Sequence, residues 1–285
     1  MTATVVIVNY RAYAELQPCL ASLEKHEPDA AIVIIDHAAD LAEASKLSAA
    51  FPRVAYRATH QNPGFGAGVN AAAREAGAGA LLLLNPDCEL TMPLLGPLLS
   101  VLEHDSAAGV VGGLVRESDG TVQASARRFP DATTGLAGRT SWLSRVVPGN
   151  PLTRRNLTTD PSAGLRQVDW VSGALMLIRG ETFDAIGGFD ERFFLYWEDA
   201  DFCRRAADAG WSTWYAPEAE VVHRTARASR HAPVRSQAAF HVSAFRYYWK
   251  HSSKLARVFS PIVACGLLVR FVIRLAWRSR VTTAG

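Results

Sequence analysis

The chain has 285 residues, of which 49% are hydrophobic and 20% charged, a balance that excludes an intrinsically disordered protein and allows one large domain or two smaller ones to bury a core. Its net charge of +3 hides a division: residues 1–220 hold 18 basic against 27 acidic side chains, whereas no Asp or Glu follows Glu220 and twelve basic residues run from Arg224 to Arg280. A mildly acidic body therefore carries a basic C-terminal segment, suited to phosphate, nucleic acid or an anionic membrane surface.

Four cysteines (Cys19, Cys88, Cys203, Cys265) are widely spaced with no CxxC pair, which argues against a zinc ribbon or disulfide framework and suits a reducing compartment. The opening "MTATVVIVNY" lacks the basic region and cleavage signature of a secretory signal. A cytoplasmic location is expected.

In chain order, "ATVVIVNY", "AAIVIIDH", "VAYRAT" and "ALLLLNP" read as strands, and "AELQPCLASLEKH", "LAEASKLSAAF" and "AGVNAAAREAG" between them as helices. Near-continuous β-rich runs separated by helices imply an α/β fold with a mostly parallel sheet covered on both faces. Ligands in such sheets collect beyond the carboxyl ends of the strands. Asn9 and Tyr10, Asp36, and Asn85 with Asp87 end three of these runs and should share that edge.

"HQNPGFGAGVNAAA", from His60 to Ala73, is a glycine-rich turn entering a helix. Gly64, Gly66 and Gly68 either admit a ligand close to the backbone or serve a plain turn. In "LLLLNPDCEL" a buried strand ends in Asn85-Pro86-Asp87, which puts a carboxylate where a diphosphate-bound Mg2+ or Mn2+ would sit; the alternative is an Asx turn closing the strand. Residues 130–166 are rich in Pro, Gly, Thr and Arg and read as a long loop excursion on the acceptor side. "QVDWVSGALMLIRG" then reads as one buried strand, followed by a short helix and turn.

"FFLYWEDADF" begins with an aromatic run and stops at Glu198, Asp199 and Asp201. Acidic residues favour the first turn of a helix, and three carboxylates there can also do acid–base chemistry. Beyond them, "ARVFSPIVACGLLVRFVIRLAWRSR" has too short an apolar run between arginines to cross a bilayer, which takes about 20 residues. Arg270, Arg274 and Arg278 recur every fourth residue opposite Leu268, Phe271, Val272 and Leu275. That spacing predicts either an amphipathic helix on an anionic membrane surface or a helix packed on the domain or a partner. Long apolar stretches between the basic residues, and no recognisable module, argue against nucleic acid.

"VVIVNY", "IIDHAAD", "NPGFGAGVN", "LLLLNPDCEL", the long segment ending "WEDADFCRRAADAGW", and "AEVVH" stand in the order and spacing of family 2 glycosyltransferases with the GT-A fold. The chain resembles the bacterial rhamnosyltransferase branch of that family over residues 3–250. The resemblance implies a GT-A catalytic domain over residues 1–225, with a basic helical tail over 226–285 associated with the membrane surface. It implies an inverting, metal-dependent transfer of L-rhamnose from dTDP-rhamnose to a polyprenyl-diphosphate-linked or polysaccharide acceptor at the cytoplasmic face of the membrane. The cofactor implied is Mg2+ or Mn2+, with Asp87 and His223 as ligands. Asp199 corresponds to the catalytic base, with Trp197, Glu198 and Asp201 on the acceptor side. Asp36 resembles the base-contacting aspartate, and Asn9, Tyr10, Asn62, Gly64, Gly66, Asn70 and Asn85 complete the donor side. Two positions depart from the family pattern: His37-Ala38-Ala39 replaces Asn-x-Ser after Asp36, and Asn85 stands for the first DxD acid. They bear on nucleobase selection and metal affinity. Two other readings follow: a UDP-hexose or UDP-galactofuranose donor on the same fold, or a non-catalytic nucleotide-sugar or polyanion binder.

Overall fold

The apolar runs form a sheet whose two faces both meet side chains. The computed structural model describes residues 1–77, 79–130, 160–224 and 233–282. Its strands are β1 (Ala3–Asn9), β2 (Ala31–Asp36), β3 (Ala55–Ala58), β4 (Ala80–Leu84), β5 (Cys88–Leu90), β6 (Ala108–Glu117), β7 (Ala126–Arg127), β8 (Arg166–Val168), β9 (Trp170–Val171), β10 (Leu175–Ile178) and β11 (Ser212–His223). The helices are α1 (Tyr13–His26), α2 (Leu41–Ala50), α3 (Phe65–Ala76), α4 (Leu95–His104), α5 (Gly180–Ile186), α6 (Glu198–Asp208), α7 (Pro233–His251), α8 (Lys254–Arg257) and α9 (Ser260–Thr282).

Strands run in the order β3-β2-β1-β4-β10-β6-β11-β5, with β8 beside β11 and a separate β7–β9 ribbon. The β3-β2-β1-β4 half is parallel, as helical crossovers require. The other half is mixed: β10 runs antiparallel to β4 and β6, whereas β6 and β11 are parallel. Successive strand residues face opposite layers. Val5, Ile7, Leu82 and Leu84 therefore pack with Leu16, Leu20 and Leu98 of α1 and α4, while Val6, Leu81 and Leu83 pack with Val69 of α3 and Phe202 of α6. Truncating one such leucine to alanine costs about 2–5 kcal/mol.

Local chemistry sets several boundaries. Asp40 caps α2 by accepting from the Ala42 and Glu43 amides, and Gly187 ends α5 in the left-handed region. The strand expected over 167–180 is broken at Ser172-Gly173, where Leu175 N donates to Ser172 O at 3.3 Å. A Cβ on Gly173 would lie 3.2 Å from the Phe65 ring, so the turn admits that ring only because it lacks a side chain. Of the expected 130–166 excursion, residues 131–159 lie outside the described residues; Pro161–Ala163 form a 3-10 turn leading into β8.

The expected tail is not one unit. α7 docks on the body: Tyr247 packs with Phe193 and Ala200, Ser243 Oγ donates to Leu195 O at 3.1 Å, and Lys250 and His251 each lie 2.7 Å from Asp201. α9 packs along α7, with Phe271 against His241 at 5.5 Å between ring centroids. Arg270 and Arg274 lie on the partly covered side, and Leu268 and Val272 are 62% and 55% exposed. The Arg278 side chain lies outside those described. Among the described residues no helix is long and apolar enough to cross a membrane, as the sequence indicated.

Candidate active site

The ends of β4, β5 and β11 bring the first group together. Asn85 N donates to Ala174 O at 3.1 Å, fixing the chain as it leaves β4, and Arg224 N donates to Asp87 O at 2.8 Å. Antiparallel pairing sets His223 opposite Cys88. His223 Nε2 thereby comes 2.9 Å from Asp87 Oδ1, with both residues buried. Neither ring nitrogen of His223 has a partner in hydrogen-bonding geometry, so the short approach joins two groups that face a common point. Burial disfavours the charged imidazole, but the Asp87 carboxylate outweighs it and raises the pKa. Cys88 Sγ lies within 4.8 Å of both ligand atoms. Burial, then the Asp87 charge, holds that thiol far above its ordinary pKa, and it contacts Ala174 O at 3.7 Å.

The second group sits at the start of α6. Tyr196 and Trp197 precede the helix with φ of 67° and 72°, a left-handed conformation that costs non-glycine residues on the order of 1 kcal/mol or more each. Packing holds them there: Trp197 meets Phe240 at 5.7 Å and Tyr247 at 5.3 Å, and Tyr196 meets Phe240 at 5.8 Å. The kink buries Glu198 and sets Asp199, half-buried, in the cavity wall. Asp199 Oδ2 accepts from Gly173 N at 3.2 Å and Oδ1 from Ala200 N at 2.8 Å. Glu198 Oε2 is buried with no hydrogen-bond partner. Burial, then the Asp199 charge, pushes the Glu198 carboxyl up to about 8. Burial also raises Asp199, opposed by the Ala200 and Gly173 amides and the Arg127 charge. Two close carboxyls beside one cavity divide their charge states: Asp199, whose charge is met by N–H groups, stays ionised, and Glu198 keeps its proton.

The 172–174 turn links the two groups, since Gly173 holds Asp199 and Ala174 holds Asn85. Between them lies a cavity of about 380 Å3 lined by Asn85, Gly173, Trp197, Glu198, Asp199 and Phe240 together with Phe65, Arg127 and Trp170. Sequence reasoning missed Phe65, Arg127, Trp170 and Phe240. Only folding brings α7 and the β7–β9 ribbon over the sheet edge; the Arg127 guanidinium carbon lies 5.1 Å from the Trp170 ring.

Several expected residues serve the fold instead. Asp201 is fully buried and held by Arg205 at 2.8 Å and by Lys250 and His251, so it anchors α7 rather than facing an acceptor. Asp36 Oδ1 accepts from Asn9 Nδ2 at 2.9 Å and Ala38 N at 3.1 Å, and Oδ2 from Tyr13 at 2.7 Å and from Tyr56. Four donors fill a carboxylate's lone-pair sites, leaving none for a nucleobase in this arrangement. Asn9 is likewise buried, accepting from Ala12 N; Tyr10, partly exposed beside it, stacks with Arg11 at 5.4 Å. A Cβ on Gly64 (φ +108°) would fall 2.3 Å from Phe194 O, one on Gly66 3.0 Å from Phe189 Cβ and one on Gly68 2.7 Å from Val8. The glycines thus admit the protein's own chain rather than a ligand. Asn62 caps this turn through Gly64 N. Asn70 clamps the Phe189 backbone through both amide atoms and lines a separate cleft of about 360 Å3. His37, which replaces the family's asparagine, joins Thr59 at 2.7 Å to Gly64 O at 3.2 Å.

The model of "Glycosyl transferase family 2" matches residues 4–160, and that of "Glycosyl transferase family group 2" matches residues 139–281. The chain is 32% identical over 255 residues to the N-acetylglucosaminyl-diphospho-decaprenol L-rhamnosyltransferase of Mycobacterium tuberculosis, covering 85% of this chain and 82% of that one. Among solved structures, a mannosyltransferase from Pyrobaculum calidifontis in complex with GDP-Man and Mn2+ superposes with a TM-score of 0.58 at 14% identity, covering 99% of this chain and 80% of that one. GalNAc-T7 with UDP, GalNAc and Mn2+ gives a TM-score of 0.58 at 17% identity, over 79% of this chain and 44% of that one. These two likenesses establish the GT-A fold.

Proposed function

Because the chain belongs to glycosyl transferase family 2, we propose that it transfers L-rhamnose from dTDP-rhamnose to an N-acetylglucosaminyl-diphospho-polyprenol, inverting the anomeric centre. The sugar and acceptor follow from the name of the mycobacterial relative. The observation that carries the chemistry is Asp199, held by the Gly173 and Ala200 amides in a largely apolar cavity beside the Asn85–Asp87 strand end. Asp199 accepts the proton of the acceptor hydroxyl as that oxygen attacks the anomeric carbon from the face opposite the diphosphate. Its raised pKa makes it a stronger base than a solvated aspartate. Trp197 and Phe240 supply an apolar wall for the sugar and exclude water, which would compete as nucleophile. Protonated Glu198 adds no second negative charge and can donate a hydrogen bond to the acceptor.

Asp87 and His223 fit a divalent cation: a buried carboxylate and an imidazole lacking hydrogen-bond partners face one point. Oxygen and imidazole ligands suit Mg2+ or Mn2+, hard cations that favour the Asp87 carboxylate over the neighbouring Cys88 sulfur. When bound, the cation neutralises charge on the diphosphate leaving group.

The exposed apolar side of α9 supports peripheral attachment to the cytoplasmic leaflet, where a polyprenyl acceptor resides. The test is nucleoside diphosphate release from dTDP-rhamnose and from UDP-sugars, with the lipid acceptor and Mn2+, for wild type and Asp199→Asn. Rhamnose transfer falling about 10²–10⁴-fold in the variant is expected. Release from a UDP-sugar alone would overturn the donor assignment, and wild-type turnover by Asp199→Asn would overturn the base.

A further inference from the structure

Two arginines of α9 lie on its partly covered side, and one of them reaches a ring that lines the active-site cavity. Along the helix Val263, Leu267, Arg270, Phe271 and Arg274 are partly covered, whereas Ile262, Leu268, Val269, Val272 and Ile273 are exposed. Arg270 and Arg274, one turn apart, share the covered side. The Arg270 guanidinium carbon lies 5.3 Å from the centroid of Phe240, the ring that also lines the Asp199 cavity.

The neighbouring residue points to a ligand independently. His241 is 7% exposed, its Nδ1 lies 2.7 Å from Gln237 O, and its Nε2 is buried with no hydrogen-bond partner. A buried polar atom left unsatisfied calls for a cause. Burial lowers the His241 pKa, opposed by the hydrogen bond to Gln237 O and helped by the Arg270 and Arg274 charges. Nδ1 carries the proton of the neutral ring toward Gln237 O, so Nε2 is an acceptor; an anion arriving beside it draws a proton onto Nε2, which then donates to the anion.

We propose that Arg270, Arg274 and His241, at the α7–α9 seam beside Phe240, bind the diphosphate of the lipid-linked acceptor. The inference rests on the acceptor reading above and deepens it. Its carrying argument is order: the acceptor runs sugar, diphosphate, polyprenol, and the protein runs Asp199 cavity, arginine seam, exposed apolar side of α9. Arginine suits the middle position because its planar fork meets phosphate oxygens in pairs. On this arrangement the basic residues select the substrate and the apolar side meets the bilayer, the reverse of a helix whose arginines lie on lipid headgroups.

The experiment measures binding of N-acetylglucosaminyl-diphospho-polyprenol and of a neutral alkyl N-acetylglucosaminide in detergent, by tryptophan fluorescence on the full chain. Wild type, Arg270→Gln, Arg274→Gln and the Arg270→Lys/Arg274→Lys pair are compared, with thermal melting as the folding control. The preference for the diphosphate ligand is expected to fall about tenfold or more for each glutamine variant. The lysine pair, which keeps charge without the fork, should fall between them and wild type. Cosedimentation with phosphatidylglycerol vesicles should stay within about twofold of wild type. A preference that survives both glutamine changes overturns the proposal, and so does its survival alongside lost vesicle binding, which would assign the arginines to lipid headgroups. A wild type with no preference also overturns it. Rhamnose transfer is scored separately, so failure of the donor assignment leaves the binding ratio to judge the seam.

Discussion

Replacing Glu198 by glutamine, the isostere of its protonated form, tests the division of roles between the paired carboxyls. With Glu198 at about 8 in the folded protein and near 4.3 when unfolded, the native state holds a proton that the unfolded state releases between those values. The raised folded pKa therefore makes its contribution complete below about pH 4 and progressively lost as pH rises toward 8, at about 1.4 kcal/mol per pH unit. Over that window the loss sums to on the order of 4–5 kcal/mol. Glutamine does not titrate, so Glu198→Gln should gain on wild type steadily from pH 5 to 8 and then level. Titrating groups remote from the pair are common to both proteins and cancel in the difference, leaving the Glu198–Asp199 pair to set its slope. Urea unfolding of the two proteins at half-unit pH steps measures it, and turnover at pH 7 should be largely retained because the protonated form is already the working one. A stability difference that stays constant from pH 5 to 9 would refute the claim that Glu198 carries the proton.

Three further outcomes follow from the same structure. Asp201→Asn should cost about 1–3 kcal/mol at pH 7, because it removes the buried carboxylate that the half-buried Arg205 and Lys250 meet. Burial raises the Asp201 pKa but His251, Lys250 and Arg205 outweigh it and lower it, so the deficit should shrink as pH falls through that lowered value, read by unfolding at pH 7 and 3. His223→Gln should raise the Mn2+ concentration needed for half-maximal turnover at least about tenfold while the melting temperature holds, and an unchanged requirement would remove His223 from the metal site. Leu268→Asp with Val272→Asp changes side chains that point outward; it should weaken vesicle binding by about 1.5 kcal/mol or more per site, and undiminished sedimentation would refute the membrane-facing side.

The reach of the sequence can be judged residue by residue. The near-continuous burial of β1 and β4, and the helices between them, were legible because a strand covered on both faces must be apolar throughout. Asp87 was legible as a carboxylate at the edge where α/β sheets gather ligands, whereas Asp199 and His223 were picked out by the family resemblance. Gly64 and Gly66 were ambiguous for a physical reason: a missing Cβ looks the same whether a ligand or Phe194 and Phe189 fill the space. The same holds for Asp36 and Asp201, where a carboxylate can meet a substrate or the protein's own tyrosines and cations, and one-dimensional spacing does not say which.

The chain by itself thus determined the elements, the sheet edge and the Asp87 carboxylate that stands there, because periodicity and strand-end position are local properties. Tertiary structure alone decided that Phe240 lines the cavity, that Glu198 and Asp199 share it, and that Arg270 lies beside Phe240 on the partly covered side of α9. Those outcomes depend on which surfaces meet across long sequence separations, and a helix with one arginine stripe and one apolar stripe is satisfied either way round until a partner surface chooses between them.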